Sequence, residues 1–366
     1  MTSAHAFQPN WASPPGETIQ EIMSEKKITI YDFAEKADVG IKFVNSLLSG
    51  NATITGALAD RLADILGADS QFWLNREAQY REDVERIYKT LSEEEEKWLN
   101  KMTVKSMQKL GWIPESKDPS KRFLHCLDYF DIGSVEQWAD RQEVHYGNIM
   151  FRTSPTFDQE DGAVAAWLRQ GEIIADRIDC KPFSKAMLRD SIKDIRALTK
   201  ERDPEVFVPE LREICSESGV AIVVARTPDG CRASGATKKL NDDKALLMLS
   251  FRYLSDDHFW FTVFHEIGHL LLHDIADVHI EGMDDEDDAK EQEANYFSSD
   301  VLIPLEHKEA FFKLKNDYRS VLKFSKKIGV APGVVVGQMQ HREMIQKNHL
   351  NKLKVRYSWE EIESTL

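Results

Sequence analysis

The sequence predicts an α+β fold that is predominantly helical, and three observations support this prediction. Apolar residues recur at helical spacing over residues 17–80. Short runs of β-forming residues lie between residues 219 and 251, and an apolar run at 259–272 is long enough for a helix. With 366 residues the chain is long for one domain, so two or three domains are expected.

The composition disfavours several classes of protein: general nucleic-acid binders, membrane proteins and disulfide-rich secreted proteins. The formal charge of −15 and the sequence pI of about 5.3 disfavour non-specific binding to DNA or to anionic membranes. No apolar stretch is long enough to span a bilayer, and residues 1–10 lack the pattern of a signal peptide. The four cysteines, at 126, 180, 215 and 231, show no C-x-x-C spacing. We therefore expect a cytoplasmic protein with neither a disulfide framework nor a membrane segment.

The first region, residues 14–82, is predicted to be a bundle of short helices. Residues 30–37, a turn at Asp38-Val39-Gly40 and residues 41–48 form a helix-turn-helix pattern. This region resembles the HigA-like antitoxin branch of the lambda-repressor-type (XRE) domains. Two further segments support the resemblance: Pro15-Gly16-Glu17 and Phe72-Trp73-Leu74-Asn75.

The resemblance implies that the second helix of this pair enters a DNA major groove. The residues offered there are Ile41, Lys42, Phe43, Asn45 and Ser46. Lys42 is the one basic residue among them, and residues 1–82 hold seven basic and eleven acidic residues, a net charge of −4. Two interpretations stay open: a DNA reader with a narrow basic patch, or a domain kept for homodimerisation or contact with a partner.

The regions on either side of residues 205–310 are predicted to be helical. Residues 83–204 form a helical connecting region, with a capping-type helix start at Ser92 and further helices at 134–140, 162–177 and 182–200. Residues 311–366 form a more basic, helical carboxyl-terminal region.

Residues 205–310 carry the predicted sheet. Strands are expected at 219–226, 232–238 and 245–251. The middle strand contains Gly235, and small residues in a strand allow another backbone to approach. Either a substrate peptide adds to this edge, or the glycine marks an internal bend.

The most informative motif is His265-Glu266-Ile267-Gly268-His269, an H-E-x-x-H pattern within the apolar run. On a helix, residues i and i+4 share a face, so both imidazoles can bind one Zn²⁺. Glu266 can then act as general base toward a water molecule at the metal. Gly268 weakens the helix but would allow another segment to approach the metal closely. The alternative is a chance match on a buried helix.

A catalytic zinc site needs a third protein ligand. We expect Glu291 to supply it, with Glu293 as the fallback, because the two point to different sides of a helix. Asn295 shares a face with Glu291 and is expected to orient a ligand. His273 lies two turns beyond His265, too far to join the same metal easily. The acidic residues 284–288 are expected to form a solvated loop.

Cys231 precedes the strand that contains Gly235. One hypothesis is that its thiolate occupies the open position of the metal and silences the site. The other is a thiol without a role at the site.

These motifs together resemble the ImmA/IrrE family of zinc metallopeptidases over about residues 205–310. The supporting segments are residues 265–273 (HEIGHLLLH), residues 291–297 (EQEANYF) and Leu302-Ile303-Pro304. The resemblance implies a small sheet packed on the motif helix, as in zincins, a glutamate as third ligand and one Zn²⁺ per chain. Ser298 and Ser299 depart from the family pattern, because small apolar residues are usual there.

The resulting functional prediction is a site-specific zinc endopeptidase coupled to a DNA-binding domain of the transcription-regulator type. From the resemblance, its substrate would be a regulatory protein such as a repressor or an antitoxin. Two alternatives remain: a DNA-binding antitoxin with a structural zinc, and a module that binds its partner without cleaving it. The presence of Glu266 favours the peptidase, because a structural site needs no base.

Overall fold

The computed structural model describes residues 12–87, 90–138, 159–274, 278–281 and 289–365. Two sequence predictions fall wholly or partly outside these residues: the acidic loop at 284–288 and the end of the helix predicted at 134–140. The chain divides into two compact units, residues 1–141 and 142–366. The first is helical and the second contains a four-stranded sheet, so the predicted α+β, predominantly helical fold is confirmed.

The first unit contains the predicted helix-turn-helix. Within its described residues the helices are α1 (Pro15–Glu25), α2 (Ile30–Ala37), α3 (Ile41–Leu48), α4 (Gly56–Leu66), α5 (Ser70–Ile87), α6 (Glu93–Lys101), α7 (Val104–Lys109) and α8 (Pro119–Phe130). One continuous helix, α5, joins the end of the predicted bundle to the start of the predicted connecting region.

Local sequence signals explain where the helix-turn-helix begins and turns. Thr29 caps α2, because its hydroxyl accepts a hydrogen bond from Asp32 N (3.1 Å) while Asp32 Oδ2 accepts one from Thr29 N (3.0 Å). The helix ends at Asp38, which adopts the left-handed conformation. The small core beneath these helices contains fully buried apolar side chains, including Ile19, Phe33, Val44, Leu62 and Trp73.

The second unit holds the sheet and the motif helix. Its helices in the described residues are α9 (Gln159–Ala175), α10 (Lys185–Leu198), α11 (Pro204–Ser216), α12 (Asp256–Leu272), α13 (Ala289–Leu302), α14 (Leu305–Phe312), α15 (Tyr318–Ile328), α16 (Pro332–His341) and α17 (Trp359–Glu363), with a 3₁₀ turn at Asn351–Leu353. Its strands are β1 (Val220–Val224), β2 (Gly235–Asn241), β3 (Lys244–Leu249) and β4 (His279–Ile280). The strand order is β1-β3-β2-β4, with β1 parallel to β3 and the other pairs antiparallel.

Helices cover both faces of this sheet. Ile222 of β1 shares a core with Phe264 and Ile267 of α12. On the other face, α9 lies so close to the sheet that a Cβ at Gly171 would clash with Met248 of β3. Because helices cover both faces, β1 and β3 are buried along almost their whole length and read as apolar runs rather than as an alternating pattern.

Helices from outside the predicted peptidase part also pack in this core. Leu188 of α10, Val321 of α15 and Val335 of α16 are fully buried and belong to the same cluster as the sheet. The predicted connecting region and the carboxyl-terminal region thus both contribute to the second unit. In the described part of the chain, no helix is long and apolar enough to cross a membrane.

The edge of β2 beside Gly235 is occupied by the chain itself. β4 pairs there, with Ala236 opposite Ile280 and Thr237 opposite His279. Glu281 N also donates to Gly235 O at 3.1 Å. The open edge that the sequence suggested for a substrate strand is therefore filled at this position.

Candidate metal centre

Helix α12 buries the whole H-E-x-x-H motif. His265 and His269 are 1% exposed and Glu266 is fully buried. The spacing of one helical turn sets the two imidazoles on one face, and their Nε2 atoms lie 2.9 Å apart. Burying three polar side chains in an apolar helix is costly unless each has a partner.

Gly268 lets helix α13 approach the motif. A Cβ at this position would lie 3.2 Å from Ala294 Cα, closer than side chains usually pack. The two helices are also joined by Ser298, whose hydroxyl donates to Phe261 O at 2.9 Å. This buried serine departs from the family pattern but gives the helix pair a hydrogen bond. The segment expected to approach the metal is therefore α13.

The close approach brings Glu291 onto the two imidazoles. Its Oε2 lies 3.1 Å from His265 Nε2, and its Oε1 lies 3.0 Å from His269 Nε2. One ligand atom from each of these residues lies within 4.8 Å of the other two. The side chain of Glu293, by contrast, is 62% exposed and contacts His273. The structure thus brings together His265, His269 and Glu291, and leaves Glu293 outside this group.

The donor set fits a divalent cation. Asn295 Oδ1 lies 3.1 Å from His265 Nδ1, where an amide oxygen can accept a hydrogen from Nδ1 and so leave the Nε2 lone pair directed into the group. When both imidazoles present their Nε2 lone pairs, these and the carboxylate at about 3 Å repel one another until a proton or a metal cation lies between them. Two histidines and one glutamate are ligands that catalytic zinc sites use.

Burial and neighbouring charges shift the pKa values of the ionisable side chains of the site in different directions. Burial favours the neutral form of His265, but the hydrogen bond to Glu291 and the charge of Glu281 raise its pKa. Burial lowers the pKa of His269 and so favours the neutral imidazole that a metal requires. Burial opposes ionisation of Glu291, yet the two imidazoles hold its pKa well below the usual range.

A second histidine cluster adjoins the first. Ligand atoms of His269, His273 and His279 also lie within 4.8 Å of one another. The His279 ring stacks on that of His269 at 4.2 Å, and burial with the neighbouring imidazoles lowers the pKa of His279 to about 3. His279 and Glu281 carry no sequence signal, because they lie on or beside a two-residue strand.

A cleft of about 480 Å³ opens onto this centre. His265, Glu291 and Asn295 line one part of it, together with Glu281. Arg252 and Tyr253 come from the segment before α12, His258 from the first turn of α12, and His341 from α16. The cleft therefore offers both charged and aromatic side chains to a bound molecule.

The structure does not bring Cys231 to the candidate ligands. This cysteine is 8% exposed and lies in a turn, where its N–H donates to Pro228 O at 3.1 Å. Neither the lining of the cleft nor the two ligand groups found among the described residues includes a cysteine.

The predicted DNA-contacting residues form a mixed surface on α3. Lys42 and Asn45 are exposed, Phe43 is 38% exposed, and Ser46 is half-buried. Ile41 adds an apolar side chain that is 42% exposed. The surface thus combines one positive charge with apolar and amide groups.

Comparison with known families supports a metallopeptidase-type domain within the second unit. Residues 220–342 match the family model of peptidase M78, described as the IrrE N-terminal-like domain. The match extends through α16, beyond the end at residue 310 that the motifs indicated. It covers the sheet, the ligand group and most of the helices around the cleft.

The amino-terminal region is similar to an uncharacterized HTH-type transcriptional regulator, YddM, of Escherichia coli strain K12. The identity is 29% over 86 residues, which is 22% of this chain and 92% of that protein. The chain therefore combines a helix-turn-helix region with an IrrE-like peptidase-type domain.

Proposed function

We propose that this protein is a cytoplasmic, zinc-dependent endopeptidase that cleaves a regulatory protein, such as a repressor or an antitoxin, at a specific site. The observation that carries the proposal is the convergence of His265, His269 and Glu291, with Glu266 buried beside them on α12. His265, His269 and Glu291 would hold one Zn²⁺, which when bound supplies a Lewis acid and an activated water molecule.

Residues of the chain would carry out proton transfer, orientation of a ligand and binding of the peptide. Glu266 would accept the proton of the attacking water on its carboxylate and later transfer a proton to the leaving amine. Asn295 holds the His265 ring in the orientation that exposes Nε2. Arg252 and Tyr253 lie in the cleft, where they could bind the peptide on either side of the cleaved bond.

The helix-turn-helix would bring this activity to a promoter. The relative from E. coli is a transcriptional regulator by name, which supports DNA binding by the corresponding part of this chain. Because the domain carries a net negative charge, we expect its non-specific affinity for DNA to be low. Recognition of DNA would then depend on a narrow surface on α3. Dimerisation through this unit would match a DNA site with two-fold symmetry.

The decisive variant is Glu266→Gln. Glutamine has nearly the same size but cannot act as a base, and position 266 is not among the ligands, so fold and zinc content should persist. General-base catalysis is worth about 10²–10⁴-fold, so cleavage should almost vanish. New protein amino termini would be compared between host cells that contain the wild type and cells that contain Glu266→Gln.

The outcome separates an enzyme from a binding module. Termini that depend on Glu266 identify the substrate and its cleavage site. If the regulatory output in cells is unchanged in Glu266→Gln and no terminus depends on Glu266, then the domain binds its partner without hydrolysis.

A further inference from the structure

The second histidine of the motif is linked to a carboxylate through another histidine. His269 Nδ1 lies 3.0 Å from His273 Nδ1, and His273 Nε2 lies 3.1 Å from Glu293 Oε2. The side chains of His269 and His273 are 1% and 4% exposed, whereas that of Glu293 is 62% exposed. The three side chains therefore run from the candidate metal centre to the surface.

The positions of the hydrogens follow from the role of His269. An imidazole that binds a metal through Nε2 carries its hydrogen on Nδ1. His273 Nδ1 must then accept this hydrogen, which places the hydrogen of His273 on Nε2, where it donates to Glu293. The reverse order would set the Nε2 lone pair of His273 against the carboxylate, and that contact is repulsive.

The backbone holds His273 in the position that this arrangement requires. His273 is the residue at which α12 ends, and its N–H donates to His269 O at 3.1 Å. Lys185 Nζ donates to His273 O at 2.7 Å and fixes the chain immediately after the helix. The ring is thus directed back toward His269 rather than into solvent.

The two histidines of the motif are therefore oriented by different partners. The partner of His265 is the neutral amide of Asn295, while His269 is backed by an imidazole and a carboxylate. A carboxylate behind an imidazole increases its basicity as a metal ligand. The hydrogen-bond partner behind each ring therefore chooses between its two neutral tautomers.

We propose that His273 and Glu293 are positioning residues that select the Nδ1–H tautomer of His269 and raise the metal affinity of the centre. This proposal rests on the proposed function, since it takes His269 as a ligand through Nε2. Glu293 is the fallback metal ligand of the sequence prediction. Under this proposal it accepts a hydrogen bond from His273 and does not bind the metal.

Metal affinity would be measured on the full chain by competition for Zn²⁺ with a chromophoric chelator. His273→Leu removes the acceptor for His269 and should weaken binding about 10–100-fold. His273→Asn places an amide oxygen near the former Nδ1 and should recover part of this loss. The control is His349→Gln, at an exposed histidine, which should leave the affinity unchanged.

Glu293→Gln tests the outer end of the chain. Glutamine can still accept a hydrogen bond, and the carboxylate is largely exposed and screened, so the loss should stay below about tenfold. Asp300→Asn removes another exposed carboxylate from the same helix and serves as the matched control.

The imidazole ¹⁵N resonances of the metal-free protein report the tautomer directly. Because Glu291 Oε1 faces His269 Nε2 at 3.0 Å and would itself attract a hydrogen there, the spectra would be recorded in a Glu291→Ala background. In this background His273 should hold the hydrogen of His269 on Nδ1, and His273→Leu should shift the ring toward the other tautomer. Wild-type affinity together with an unchanged tautomer in His273→Leu would overturn the proposal. If the wild type binds no zinc, the proposed function fails, while the metal-free spectra still decide whether His273 sets the tautomer.

Discussion

Gly235 lies directly against the carboxylate of Glu266. A Cβ at position 235 would be 2.6 Å from Glu266 Oε1 and 2.8 Å from Glu266 Cγ. The first residue of β2 therefore packs against the proposed general base. Any side chain at this position would displace the Glu266 carboxylate. This contact connects the sheet to the chemistry of α12.

Gly235→Ala should reduce hydrolysis of the substrate about 100-fold, because a Cβ at 2.6 Å forces the catalytic carboxylate to move by a large fraction of an ångström. Zinc content should remain near that of the wild type, since the ligands lie on other residues. Cleavage and zinc content would be measured on the same preparation. Gly56→Ala, where an added Cβ meets nothing within 4 Å, is the control. Full activity of Gly235→Ala would show that the position of Glu266 does not depend on a glycine at residue 235.

Metal analysis of two glutamate variants tests the ligand assignment. Glu291→Ala should lose most of the bound zinc, because its carboxylate faces both imidazoles at 3.0 and 3.1 Å. Glu293→Ala should keep about one zinc per chain at saturating metal. The reverse pattern would move the third ligand to Glu293, and full zinc in both variants would exclude this ligand set.

DNA binding would be tested on the promoter of the protein's own gene. If α3 reads DNA, Lys42→Glu should weaken binding and reduce the salt slope by about 1, as expected for one lost phosphate contact. Lys109→Glu makes the same change of charge on an exposed residue outside the helix-turn-helix and should have a smaller effect. A wild-type protein that binds no DNA even at low salt would favour a role in partner contact.

Asp256 should make the stability of the second unit depend on pH. Burial and the adjacent Asp257 carboxylate raise the pKa of Asp256 to about 7. Between the unfolded value near 3.9 and this folded value, the unfolded chain releases a proton that the folded chain retains, so this residue lowers stability as pH rises. The total cost is at most about 4 kcal/mol above pH 7.

Asp256→Asn should remove this dependence. Its oxygen can still accept the hydrogen bonds from Asp257 N (2.9 Å) and Val355 N (3.0 Å). Calorimetric unfolding from pH 4.5 to 8 should show the variant gaining stability relative to the wild type as pH increases. The exposed Asp300→Asn should show no such trend, and a constant difference for Asp256→Asn would contradict the assignment.

The sequence alone was sufficient for the features that depend on local spacing. The i and i+4 positions of His265 and His269 require a shared helix face, and the turn at Asp38–Gly40 predicts the two short helices around it. The overall α+β class follows from the same periodicities.

Tertiary structure decided which residues meet across the chain. Glu291 rather than Glu293 faces the imidazoles because Gly268 admits α13 in one orientation. His273 meets Glu293 only because α13 packs against α12, and β4 fills the edge beside Gly235 although its two residues have no detectable pattern. Helical and strand periodicity depends on residues that are close in sequence. Contacts between helices and between strands depend on packing between segments that are far apart in the chain. Sequence by itself therefore determined the motif and its helix, and the fold determined the third member of the group and the environment of the base.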